Sequence, residues 1–192
     1  MKITRLKYGN TNTFFINGLL FDTDMPGTLG SFFKAIKQNG IEMREIKAVV
    51  CSHFHPDHMG LVPELMKAGI KLIVLENQKD FIHSSDEILK RQFGEKFKPI
   101  KDSDAIELSF KGSRSFLNSL GIRGEIIPTF SHSQDGIALI LDNGEGFAGD
   151  VEPYSNIKGY ENNGLLEKDW SNFGKFNLST VHFGHNIDYR PS

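Results

Sequence analysis

With 192 residues, 39% hydrophobic and 24% charged, the chain has a globular composition and the length to bury roughly 70% of its unfolded surface. A formal net charge of −2, with lysines scattered and no basic run, gives a polyanion no footing, so a nucleic-acid partner is not expected. The single cysteine, Cys51, rules out an internal disulfide and fits a reducing compartment.

No stretch approaches the ~20 apolar residues of a membrane span. Met1 to Asn10 alternate charged and apolar positions without the apolar core of a signal peptide. A cytoplasmic protein with no membrane partner is the expectation, and residues 1–192 read as one domain.

In chain order, Thr13–Asn17 and Leu19–Asp22 read as strands around a tight turn at Asn17-Gly18. Thr28 stands where a cap belongs, ahead of a helix to about Gln38. Phe32, Phe33 and Ile36 are spaced for one face of it, and Gly40 ends it. Lys47–Cys51 is a short apolar run, followed by a His-rich segment and a helical pattern around Leu61, Leu65 and Met66 that ends near Gly69. Lys71–Leu75 has a buried-strand pattern, Lys79–Phe93 reads as a polar helix, and Ala105–Ser109 as a strand. Ser113–Leu120 is a helix stopped at Gly121. Glu125–Phe130, Gly136–Leu141 and Gly146–Gly149 read as three strands, Asn163–Phe173 as a helix and Ser179–Phe183 as the last strand. Strands and helices interleaved in this way predict an α/β fold.

The strongest chemical signal is Ser52-His53-Phe54-His55-Pro56-Asp57-His58. His53 and His55 are two apart, so at an extended strand end they point the same way. Two such imidazoles can share one cation at Zn–N distances of about 2.0–2.1 Å. Asp57 and His58 follow where the chain turns into a helix near Met59 or Gly60, facing a second cation beside the first. Four such groups fit poorly in a folded chain without a cation. His132, Asp150 and His185 each come just past the end of a short apolar strand, where side chains from distant segments converge. The count then works for two metals: His53, His55 and His132 on one, Asp57, His58 and His185 on the other, and Asp150 bridging.

His53-Phe54-His55-Pro56-Asp57-His58 resembles the HxHxDH signature of the metallo-β-lactamase superfamily. Pro128-Thr129-Phe130-Ser131-His132-Ser133 resembles its next histidine turn, Phe147-Ala148-Gly149-Asp150 its bridging aspartate, and Phe183-Gly184-His185 its last histidine. Leu19-Leu20-Phe21-Asp22-Thr23 resembles its early strand, whose aspartate supports the site from behind the ligands, and Asn12 fits the opening pattern. The landmarks run in the family's order from Asn12 to His185. Three departures stand near the cleft: Asp22-Thr23-Asp24 for Asp-Thr-Gly, Ser131 for a glycine, and Gln134-Asp135 for Pro-Gly.

The resemblance implies a four-layer αββα sandwich with the metals in a cleft between the edges of two sheets. It implies two divalent metal ions, zinc by expectation, with iron or manganese also suited to these donors. It also implies a hydroxide held by that pair, which attacks an ester, thioester, lactam, lactone or phosphodiester. Asp57 would be the catalytic carboxylate, orienting the nucleophile and shuttling its proton. With no room for a further domain, the expected substrate is a small ester-, thioester- or lactone-like molecule.

The alternative is an iron-dependent oxidoreductase, since histidine and carboxylate donors accept iron as well as zinc or manganese. Flavodiiron relatives carry a flavin domain for which this length leaves no space, whereas a persulfide-oxidising relative needs only one iron. A phosphodiesterase or nuclease ranks lower for want of a basic patch or an RNA-binding arm. A β-lactamase ranks lower still for want of an export signal, and the intact ligand set opposes a vestigial site.

Several other residues have competing readings. His182, within the last strand, competes with His185 and reads as structural. His83 reads as solvent-facing and Cys51 as a small core residue. Tyr154, Tyr160 and Trp170 could line the pocket or pack in the core. Asp24 reads as a pocket carboxylate in preference to an exposed turn residue.

Overall fold

The central apolar runs of this chain are buried on both faces, and each divides its residues between two different cores. In the computed structural model, which describes residues 2–159 and 163–191, these runs build two sheets. The first has six strands in chain order: β1 (Ile3–Leu6), β2 (Thr13–Ile16), β3 (Leu19–Phe21), β4 (Ala48–Val50), β5 (Lys71–Leu75) and β6 (Ala105–Leu108). It is antiparallel from β1 to β3 and parallel from β3 to β6. The second is ordered β10 (Thr180–His182), β9 (Glu145–Phe147), β8 (Ile137–Leu141), β7 (Gly124–Pro128), with β10 parallel to β9 and the rest antiparallel.

Period-two alternation accounts for the layering. In β4 and the residue after it, Ala48 and Val50 join one apolar cluster while Val49 and Cys51 join another; in β8, Ile137, Leu139 and Leu141 part from Ala138 and Ile140 in the same way. The middle cluster lies between the sheets, where Phe14, Phe21 and Ile73 meet Ile126, Leu139 and Phe147. A second cluster packs the outer face of the six-stranded sheet on α1 (Leu29–Gln38) and α3 (Val62–Lys67). A third packs the outer face of the four-stranded sheet on α6 (Gly164–Phe173). Three cores separate four layers, the αββα sandwich. Among the described residues no helix is long and apolar enough to cross a membrane.

Several local expectations are corrected. β1 is an unforeseen strand: its alternation of charged and apolar residues is a strand pattern paired to β2, from Ile3 opposite Ile16 to Leu6 opposite Thr13. Thr28 occupies the cap position of α1 but does not cap it, since its hydroxyl donates to the Met25 carbonyl at 2.8 Å. Phe33 is 43% exposed; the buried stripe of α1 is Phe32, Ala35 and Ile36. Helix α5 (Phe110–Ser119) begins three residues early because the Ser109 hydroxyl accepts the Gly112 N–H at 3.2 Å. β7 ends at Pro128, not at Phe130. Tyr160 lies outside the described residues.

The polar helix expected over Lys79–Phe93 is instead a turn of 3₁₀ helix at Lys79–Phe81 and α4 (Asp86–Phe93). Side chains between them compete with the helical ladder. The Ser85 hydroxyl donates to the Phe54 carbonyl at 2.6 Å, and His83 lies 3.0 Å from Asp86 and 2.7 Å from Asp102. The Asp102 hydrogen bond, then the Asp86 pairing, outweigh partial desolvation and raise His83 above its ordinary 6.5. That pairing stabilises the fold fully below the unfolded value near 6.5 and is lost as pH rises through the raised one. His83→Gln is therefore expected to flatten the fall of stability as pH rises above about 6.5, by under ~1 kcal/mol because the histidine is about half exposed. Melting curves of the two proteins across that range check it; parallel slopes would contradict it.

Candidate metal centre

The His-rich segment leaves the C-terminal end of β4 and enters α2 (Pro56–Met59), whose first position is Pro56. Proline there lacks only an N–H that the helix start cannot use. His53 thus lies in the bend after the strand, His55 on extended backbone at the helix start, and Asp57 and His58 on the first helical turn. His132 follows β7, Asp150 follows β9 and His185 follows β10, so strand ends of both sheets meet at one edge of the sandwich.

The structure brings all seven predicted ligands together. Their donor atoms form three overlapping groups: His53, His55 and His132; His53, His58 and Asp150; Asp57, His58 and His185. His55 Nδ1 lies 2.9 Å from His53 Nε2 and 3.2 Å from His132 Nε2. Asp57 Oδ2 lies 3.0 Å from His185 Nε2 and 3.7 Å from His58 Nε2. Asp150 Oδ2 stands between the groups, 3.3 Å from His58 Nε2, 3.5 Å from His185 Nε2 and 3.8 Å from His132 Nε2. Ligands at about 2.0–2.1 Å around a tetrahedral cation lie ~3.3 Å from one another, so these separations suit coordination.

Two further observations fit a cation. His58 Nε2 is fully buried and has no hydrogen-bond partner among the described residues, and the same is true of Asp150 Oδ1. A buried imidazole nitrogen without a hydrogen-bond partner, among two carboxylates and another imidazole, is costly unless a positive charge, a metal ion or a proton, occupies it. Gly184 forms part of the cradle: a Cβ there would come within 2.5 Å of Asp150 Oδ1 and 2.7 Å of His58 Cε1.

Electrostatics set the charge of each donor in the metal-free chain, and a cation bound at His58 displaces a proton. Burial, then the positive potential of the neighbouring histidines, holds His53 far below the ordinary imidazole range, so it is neutral and free to coordinate. Burial also lowers His132. Burial works against a charged His58, but the carboxylates of Asp22 and Asp150 overcome it and push the group up to about 10. Burial likewise opposes ionisation of Asp150, and His58, His185 and His132 outweigh it, leaving Asp150 anionic.

Behind the donors is a shell of hydrogen bonds. Asp22 Oδ2 lies 3.1 Å from His58 Nδ1, and its Oδ1 accepts the Ser52 N–H at 2.6 Å. Asp22 holds φ +62, a left-handed conformation that aspartate tolerates and that turns its carboxylate inward. The Ser52 hydroxyl lies 3.0 Å from His53 Nδ1. Asn12 ties the opening loop to the last ligand, with Nδ2 donating to the Phe183 carbonyl at 2.9 Å and its N–H to that of Gly184 at 2.8 Å.

Asp24 is a correction. Its side chain does not enter the pocket: it is buried, accepting the Thr11 N–H at 2.9 Å and the Met25 N–H at 2.7 Å. Where the family pattern has Pro-Gly, Asp135 is buried and accepts the Phe54 N–H at 2.7 Å, joining the His132 turn to the backbone between His53 and His55. Gln78 donates to the Cys51 and Asp135 carbonyls at 2.9 and 3.1 Å. Trp170 is a core residue, with Nε1 donating to the Glu152 carbonyl at 2.9 Å, and Tyr154, 54% exposed, packs over it. Cys51 is fully buried in the core.

His182 stands away from the cluster. Its Nε2 lies 2.8 Å from Glu145 Oε2 and its Nδ1 3.0 Å from Asp188 Oδ1, so both nitrogens are engaged. His185→Ala is expected to remove one metal equivalent, and His182→Ala to keep all of them. Elemental analysis of the two purified variants decides it, and the reverse result would exchange their roles.

The profile of the Metallo-beta-lactamase superfamily matches residues 6–185. No curated protein matches the sequence. Among solved structures, the chain is similar to a putative metallo-beta-lactamase (tm0894) from Thermotoga maritima, with 18% identity and a TM-score of 0.67. That match covers 100% of this chain and 96% of the other. It is also similar to TTHA1623 in a di-iron-bound form, with 17% identity, a TM-score of 0.72, and 99% and 94% of the two chains covered. A third is a peroxy diiron species of the chemotaxis sensor ODP, with 17% identity, a TM-score of 0.67, and 98% and 84% covered.

Proposed function

The chain belongs to the metallo-beta-lactamase superfamily, and from that premise we propose that it is a metal-dependent hydrolase of a small ester-, thioester- or lactone-like substrate. The observation that carries this reading is Asp150, whose Oδ2 faces His132 of one donor group and both His58 and His185 of the other. A carboxylate so shared suits two divalent cations, zinc first, with His53, His55 and His132 holding one and Asp57, His58 and His185 the other. Bound there, the pair supplies Lewis acidity, lowering the pKa of a water towards neutrality and polarising a scissile carbonyl.

The remaining work falls to the chain. Asp57, whose side chain is 31% exposed, orients the attacking water and takes its proton at the carboxylate. The Thr11 hydroxyl, 3.5 Å from Asp57 Oδ2, limits the swing of that carboxylate. Asp22 and Ser52 hold the Nδ1 sides of His58 and His53, keeping both Nε2 atoms directed into the site. The same reading takes residues 1–192 as one domain acting in the cytoplasm, with no nucleic-acid or membrane partner.

A second reading, an iron-dependent oxidoreductase, is favoured by one observation: the donor groups offer only imidazole nitrogen and carboxylate oxygen, a set that iron accepts as readily as zinc. Two of the similar structures are of a di-iron-bound form and a peroxy diiron species. Assay of the metal-loaded protein against esters, thioesters, lactones and phosphodiesters separates the two. Metal-dependent turnover of an ester-like member supports the hydrolase. No turnover, with colour, stoichiometric iron and oxygen consumption, replaces it with the oxidoreductase.

A further inference from the structure

Helix α6 carries Leu166, Asp169, Trp170 and Phe173 on one buried face, at the i, i+3, i+4, i+7 spacing of an apolar stripe. Three of the four pack into the outer core of the four-stranded sheet. Asp169 is 1% exposed, and a carboxylate in such a stripe must find donors there. It finds them in the loop that carries His132. Its Oδ2 accepts the Ser131 N–H at 2.8 Å and the Phe130 N–H at 3.0 Å, and its Oδ1 is 3.2 Å from the Phe130 nitrogen.

We propose that Asp169 is a positioning residue for His132, fixing the third imidazole of the His53–His55–His132 group from across the second sheet. β7 stops at Pro128, so the strand ladder no longer directs the chain over the next residues. Asp169 takes over by gathering the two N–H groups just before the ligand. The end of the turn is held separately, by Asp135 on the Phe54 N–H and by the Gly136 N–H on the Ser133 carbonyl at 3.1 Å. His132 is thus clamped on both sides, as a 35% exposed ligand on a loop needs to be.

The helix that presents Asp169 is itself fixed. Its Trp170 donates to the Glu152 carbonyl at 2.9 Å, two residues past Asp150, and its ring lies 5.2 Å from Tyr189, four residues past His185. The inference concerns how the chain holds a cation and is independent of the reaction that cation serves.

The test is stepwise titration of the metal-free protein with cobalt(II), read by visible absorption and calorimetry, with His132→Ala identifying which step belongs to that histidine. In Asp169→Ala this step is expected to weaken by about 10–100-fold while the other is unchanged, the size usual for loss of a ligand's hydrogen-bonded support. Asp169→Asn keeps one acceptor oxygen and is expected to recover the step to within about threefold of wild type. Titrations of Asp169→Ala that match wild type would overturn the proposal. So would equal weakening of both steps, which is what general destabilisation gives. Should Asp169→Ala fail to fold, amide hydrogen exchange on the wild-type protein decides: Phe130 and Ser131 are expected to be protected together, and rapid exchange at both would overturn it.

Discussion

Asp150→Asn is expected to lower kcat/KM by roughly a thousandfold and to reduce bound metal from two equivalents per chain to about one. The size follows from the site. Charge stabilisation by a metal pair is worth several kcal/mol, and about 1.4 kcal/mol is tenfold in rate. Asp150 Oδ2 lies within 3.8 Å of three candidate ligand imidazoles, and these, His58 first, keep it anionic despite burial. Asparagine has nearly the same shape but only a neutral oxygen, so the two groups lose their shared charge. The metal-free fold should change little, because Asp22 still pairs with His58 and Gly184 still accommodates the side chain. Metal analysis, steady-state kinetics and melting of the metal-free variant measure the three effects. Unchanged kinetics and metal content would remove Asp150 from the bridging role.

Asp22→Asn is expected to cost more in folding than any other single change near the centre. Asp22 and His58 are both almost wholly buried, and their pairing is the strongest charge contact behind the ligands. Removing one partner of a buried ion pair costs about 3–5 kcal/mol in the metal-free chain. Asparagine accepts the left-handed backbone at φ +62, so the loss is read without added strain. The loaded protein is affected through the proton on His58. Asp22 keeps that proton on Nδ1 and leaves the Nε2 lone pair to the cation. The amide of asparagine can donate to Nδ1, which moves the proton to Nε2 and blocks it. Affinity at the group of Asp57, His58 and His185 should fall by about 100-fold. Denaturant melts of the metal-free variant and its metal titration test this; wild-type values in both would contradict it.

Much of the fold, and the convergence of the seven candidate ligands, was legible in the sequence for a physical reason. His53, His55, Asp57 and His58 come from one strand end and one helical turn, so local geometry alone makes them neighbours. The later ligands are single residues, but each follows an apolar run, and the ends of strands are where such residues converge. The supports were less legible because each is a hydrogen bond from a side chain to distant backbone. Asp135 reaches Phe54 across 81 positions and Asp169 reaches Phe130 across 39. Nothing near an acceptor in the sequence announces a donor so remote. Asp169 did leave a trace, a carboxylate inside the apolar stripe of α6. Asp24 was misjudged for a similar reason: beside the adjacent Met25 N–H, its other partner is the Thr11 N–H, 13 positions earlier, which reaches it only once the opening loop folds back. β1 was missed because charged residues outside a sheet edge can mask a strand whose inner positions are few.

The measurement that tests the central claim most directly is the metal content per chain of the natively purified protein, by elemental analysis for zinc, iron and manganese. The shared position of Asp150 between two donor groups predicts about two equivalents of zinc or manganese per chain. A single equivalent that does not rise when the protein is saturated with metal would contradict the two-metal hydrolase.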